Sequence, residues 1–97
     1  MNYKESHEFQ ELPDYMHSGI EMYIDDGVPP GGFLEAVFAN DLVGAAARAD
    51  SVNIAHLKQY AAFMYHQAPM ACRGSYEKVA AWRGTKHIDD KYEPQRL

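Results

Sequence analysis

Between Asp50 and Pro69 the apolar residues recur at the spacing of an α-helix. Ile54, Leu57, Tyr60, Ala61, Met64 and Tyr65 repeat at spacings of three and four residues and make one stripe. Asp50-Ser51 supplies a capping signal ahead of the run. Pro69 ends it, because the residue before a proline is driven out of helical backbone. The spacing predicts one helix over 52–67, the longest in the chain and the centre of its core.

Similar punctuation cuts the rest into short helices. Pro13-Asp14 opens a helix over 14–26, with Asp14 as acceptor for first-turn amides and Met16, Ile20, Tyr23 and Ile24 on one face. Gly27 sits where a left-handed cap belongs, and Pro29-Pro30 forbid continuation. Gly19 inside this helix predicts that another backbone approaches closely there. Phe33, Leu34, Val37 and Phe38 predict a helix over 31–39, and Asp41 caps a further one to about residue 49. A single helix over 31–49 is the alternative, and two short ones are preferred. Pro69 to Gly74 reads as a loop, after which Ser75 caps a last helix bearing Tyr76, Val79, Ala80 and Trp82.

No segment alternates apolar and polar residues as a strand does. The fold class is therefore all-α, a compact single domain of four or five short helices. Its predicted parts are a flexible acidic arm over 1–12, a helical domain over 13–83 and a polar C-terminal tail over 84–97. With 97 residues, 46% apolar and 24% charged, the chain fits one globular domain and excludes a disordered, collagen-like or disulfide-stapled one. The lone Cys72 cannot bridge within the chain, no run approaches the ~20 apolar residues of a membrane span, and the N-terminus lacks a signal core. The expected location is the cytoplasm.

A net charge of −5 argues against direct nucleic-acid binding. The charge is uneven: residues 1–50 hold ten acidic side chains against Lys4 and Arg48, whereas residues 51–97 hold four against seven basic ones. Such a bipolar chain can steer a charged partner or associate with copies of itself; solvated faces without a partner are the plain alternative.

Residues able to carry chemistry are few. Asp14, His17 and Glu21 share a helix face, but no metal-binding motif frames them, and a capping Asp with a His17–Glu21 surface pair is preferred. Cys72 has no base located beside it and reads as a half-buried structural cysteine. Gly31-Gly32 lacks a phosphate-loop lysine and a preceding strand, so a turn is expected. No catalytic residue, metal or cofactor is assigned. Candidate binding residues are aromatic or basic. Tyr15, Tyr65 and Tyr76 lie near helix ends or off the main stripes, where the choice is a recognition surface or packing in the core or rim, and packing is preferred for any one of them. Arg48 and Asn53 flank the Asp50 corner, where the choice is capping or an anion pocket, and capping is preferred; His17 and Arg73 complete the set.

The run Pro13-Asp14-Tyr15-Met16-His17-Ser18-Gly19-Ile20, then Tyr23-Ile24 and Pro29-Pro30-Gly31-Gly32-Phe33-Leu34-Glu35-Ala36-Val37, resembles a family of small uncharacterised proteins of tailed bacteriophages and prophages. Asn40-Asp41-Leu42, Arg48-Ala49-Asp50, Asn53, Tyr65, Ala68-Pro69, Cys72, Gly74-Ser75, Val79 and Trp82 extend the likeness over about residues 13–82. The resemblance implies a phage setting and transfers no catalytic residue. By analogy with other phage accessory proteins of this size, the leading expectation is a non-enzymatic protein that binds and inhibits or modulates a host protein or complex, with an antiphage defence component as one such target. The alternatives are a protein that sequesters a nucleotide signal and an oligomeric structural or regulatory phage component.

Overall fold

A computed structural model describes residues 2–86; the expectations for residues 87–97 of the tail lie outside these. Among the described residues all regular structure is helical. A 3-10 turn at Tyr3–Glu5 precedes α1 (His7–Gln10), α2 (Asp14–Asp26), α3 (Gly32–Phe38), α4 (Leu42–Arg48), α5 (Ser51–Ala55), α6 (Leu57–His66) and α7 (Tyr76–Ala81), with a second 3-10 turn at Met70–Cys72 before α7. The four helices of seven residues or more are α2, α3, α4 and α6. The sequence marked all four, as well as the break between α3 and α4.

Local chemistry sets the boundaries. Asp41, Asp50 and Ser75 each accept a first-turn amide, from Gly44 at 2.8 Å, Asn53 at 2.7 Å and Lys78 at 3.1 Å. Asp14 does not cap as expected: Pro13 holds that place without a side-chain bond, and Asp14 lies in the first turn, where its charge faces the helix dipole. The helix predicted over 52–67 is interrupted. At His56 the backbone leaves helical angles (φ −110°, ψ 15°), its amide reaches only to Asn53, and its ring nitrogen lies 2.8 Å from the Val52 carbonyl oxygen. The Pro69–Gly74 loop also tightens into a 3-10 turn.

The core is aromatic and knitted by buried polar groups. Tyr23 packs on Phe38 with ring centroids 4.5 Å apart, and Tyr60 meets Phe33 edge-on at 5.1 Å. Each tyrosine finds its polar partner: the Tyr23 hydroxyl donates to the Cys72 carbonyl at 2.6 Å, and the Tyr60 hydroxyl to Asn53 Oδ1 at 2.7 Å. Trp82 Nε1 donates to the carbonyls of Tyr23 and Ile24, tying the end of α7 to α2.

The segment predicted as a loose arm is part of this core. Ser6 caps α1 through the Phe9 amide, while Phe9 and Leu12 are fully buried. Phe9 and Tyr3 both lie 5.8 Å from Phe63 of α6. Tyr3 and Lys4 also grip Asp25 of α2, at 3.0 and 2.7 Å. Two strong apolar anchors among the first twelve residues are few to fix a segment; they suffice because α6 offers Phe63 as a receptor.

The close backbone approach expected at Gly19 is elsewhere. A Cβ on Gly19 would meet only the Leu34 side chain, at an ordinary 3.6 Å. The tight crossing joins Gly27 (φ 73°) to Gly84 (φ 97°). A Cβ on Gly27 would overlap the Arg83 backbone, and one on Gly84 would overlap that of Asp25 and Asp26. Gly84, read as the start of the tail, is buried against the end of α2.

Candidate functional site

Helix α6 carries more apolar side chains than one face can hold. Tyr60 and Phe63 point into the core, Phe63 being covered by Phe9 and Tyr3. Leu57, Ala61, Met64 and Tyr65 line an open groove of about 260 Å³, to whose lining the buried Tyr60 also contributes. Its other wall is Ala36 and Val37 of α3 with Leu42 and Ala45 of α4. The stripe read from the sequence as core is therefore divided: Tyr60 is buried, but Ile54 is 43% exposed and Tyr65 78%. Leu42 at 71% extends the apolar surface on the α4 side.

The α3–α4 corner shapes one end of this groove. Asn40 adopts left-handed backbone (φ 65°), and the amides of Asn40 and Asp41 return to the carbonyls of Val37 and Ala36. That pair of bonds closes α3 and sets Asp41 to cap α4. The second carboxylate oxygen of Asp41 accepts from the Tyr76 hydroxyl at 2.6 Å. These bonds hold the Asp41 carboxyl below its ordinary pKa, the Tyr76 bond first, and push Tyr76 up. The same arrangement recurs at Asp50, which caps α5 with one oxygen and accepts from Tyr15 with the other at 2.6 Å.

Arg73 completes the lining. Its neighbours are anchored on both sides: the Cys72 carbonyl accepts from Tyr23, and the Gly74 amide donates to the Phe38 carbonyl at 2.8 Å. Arg73 itself is partly exposed. Its buried Nε has no hydrogen-bond partner, and no ion pair reaches it among the described residues.

Of the sequence-derived candidates, the structure brings Tyr65 and Arg73 to this groove. Tyr15 is held by Asp50. His17 stacks on Phe9 at 4.2 Å, and its Nε2 lies 3.0 Å from the Leu12 carbonyl oxygen, which replaces the expected His17–Glu21 pair. Arg48 donates to the Gly44 carbonyl of its own helix. Asn53 is buried and committed to Tyr60, so the polar pocket considered for Arg48 and Asn53 does not form. Cys72 is wholly rather than half buried, and burial pushes its thiol up to about 12.

Sequence reasoning missed Leu42, Ala61 and Met64 as a surface, since apolar residues at helical spacing look the same whether or not anything covers them. Among the described residues no three His, Cys, Asp or Glu side chains gather as a metal site, and no helix is long and apolar enough to cross a membrane. Comparison with protein-family models, curated proteins and solved structures returned no match.

Proposed function

We propose that this protein works by stoichiometric binding of another protein, without turnover, and that the groove between α6 and the α3–α4 pair is the docking face. One observation carries the reading: an apolar cavity of about 260 Å³ lies open between Leu42 and Tyr65, both more than two-thirds exposed. Its volume is below the ~300–1,000 Å³ of small-molecule clefts and matches one or two large side chains inserted by a macromolecule. The resemblance to small phage proteins makes a host protein, such as a defence component, the class of partner this reading favours. Sequestering a nucleotide has less support: of the three residues considered for its phosphate, Asn53 is committed inside the core and Arg48 to its own helix, which leaves Arg73 alone.

The test is a pair of surface variants, Leu42→Ser and Tyr65→Ala, compared with the unaltered chain for retention of a host-lysate protein and for activity in cells. Both should fold normally and lose the partner. Full retention by the double variant removes the groove from consideration. Sedimentation of the purified chain separates a heterologous partner from a second copy, since self-association through the groove would be lost in the same variants.

A further inference from the structure

We infer that the segment occupying the groove is an apolar stretch of a partner protein that carries a carboxylate, and that this carboxylate seats against Arg73. The inference rests on the docking reading above and adds the chemistry of the partner.

The argument is one of unmatched charge. Two charged side chains line the groove, Asp41 and Arg73. Asp41 is saturated, one oxygen on the Gly44 amide and the other on the Tyr76 hydroxyl. Arg73 has a buried Nε–H with no acceptor and no ion pair among the described residues. A buried donor without an acceptor is costly and rare in folded proteins. Here the backbone that presents it is fixed at both neighbours, so the side chain sits on an anchored loop. The rest of the side chain is partly exposed, so a guanidinium with no ion pair, on a held backbone beside an open apolar cavity, presents its outer nitrogens to an anion. Leu57, Ala61 and Met64 then select apolar side chains next to that anion. A carboxylate borne on an apolar peptide meets both demands. A free phosphate meets only the first, and the small cavity disfavours a nucleotide.

The experiment selects random twelve-residue peptides on the immobilised full chain, with Arg73→Gln as the parallel bait and Lys58→Gln as the charge control. Enriched peptides should combine large apolar residues with Asp or Glu, and should bind Arg73→Gln about tenfold more weakly while binding Lys58→Gln unchanged. Replacing the acidic residue of such a peptide by its amide should give the same tenfold loss on the unaltered chain and none on Arg73→Gln. The thermal midpoint of Arg73→Gln should match that of the unaltered chain, because the lost charge has no ion-pair partner among the described residues and the amide keeps a polar atom at the position of Nε; a fall of several degrees would assign Arg73 a structural role and overturn the inference. Apolar peptides without acidic preference that Leu42→Ser weakens would overturn it while leaving the groove as the docking face. Enrichment insensitive to both Leu42→Ser and Tyr65→Ala would overturn both readings. Displacement of the peptides by inorganic phosphate alone would replace the carboxylate by a phosphate site.

Discussion

The two apolar faces of α6 are built from similar residues and meet different fates. Phe63 is sealed by Phe9 and Tyr3, whereas Leu57, Ala61 and Met64 open into a groove that Tyr60 also lines. The difference lies in the rest of the chain. Residues 2–12 supply a lid for one face, and the described chain supplies none for the other. Apolar character thus decides that a face seeks cover. Topology decides whether the cover comes from the same molecule.

The largest effect should come from breaking the sealed face. Phe63→Ala is expected to cost about 3–5 kcal/mol in urea unfolding, whereas Leu57→Ala and Met64→Ala, already partly solvated, should cost well under half of that. Equal losses on the two faces would erase the distinction. Phe9→Ala should be nearly as damaging as Phe63→Ala, because it removes the lid rather than the receptor. The two rings touch, so the double variant should fall short of additivity by roughly 0.5–3 kcal/mol in a mutant cycle. Strict additivity would mean that the N-terminal segment and α6 do not support each other.

On the open face, Leu42→Ser and Tyr65→Ala should each change stability by no more than about 0.5 kcal/mol, the range of exposed substitutions. A larger loss at either would show that this surface serves the fold.

The pH dependence offers the finest contrast. Burial raises the pKa of Tyr23, Tyr60 and Cys72, so the native state holds their protons after the unfolded chain has released its own. Stability is then full below the ordinary cysteine and tyrosine values and falls as pH rises from about 9 upward. At the two capping aspartates the sign is opposite. Asp41 and Asp50 are depressed by their tyrosine and backbone bonds, so their contribution is complete above the ordinary carboxylate value and is lost as pH falls through the lower native one. Urea midpoints followed across pH should show the acid limb flattened by Asp41→Asn with Asp50→Asn, while the alkaline limb loses only the share that Tyr76 and Tyr15 owe to these carboxylates and keeps that of Tyr23, Tyr60 and Cys72.

Most of the fold was legible because its boundaries are written in local chemistry. Asp41, Asp50, Ser75 and Gly27 each act within a few residues, and the helices they delimit begin and end where those side chains require. The misread parts depend on residues far apart in the chain. Phe9 looked isolated until Phe63 stood opposite it. Gly84 looked like the start of a tail until the end of α2 crossed it. His56 shows a local failure: alternate bonding of one histidine to the turn behind it interrupts a helix whose apolar spacing continues without a break. Of the groove, Tyr65 and Arg73 were identifiable as binding types from composition and position, but nothing within either neighbourhood revealed that they would line one cavity.

The crossing of Gly27 and Gly84 has a consequence for how this sequence can change over time. Each position needs both a left-handed backbone and the missing Cβ, and each faces main chain, which no rotamer change can move aside. A substitution at one is therefore not rescued by a smaller neighbour at the other, since neither has anything left to give up. Descendants that keep this junction must keep both glycines, so two residues separated by most of the chain form a fixed signature by which a diverged relative can be recognised after the aromatic core has been exchanged for other apolar side chains.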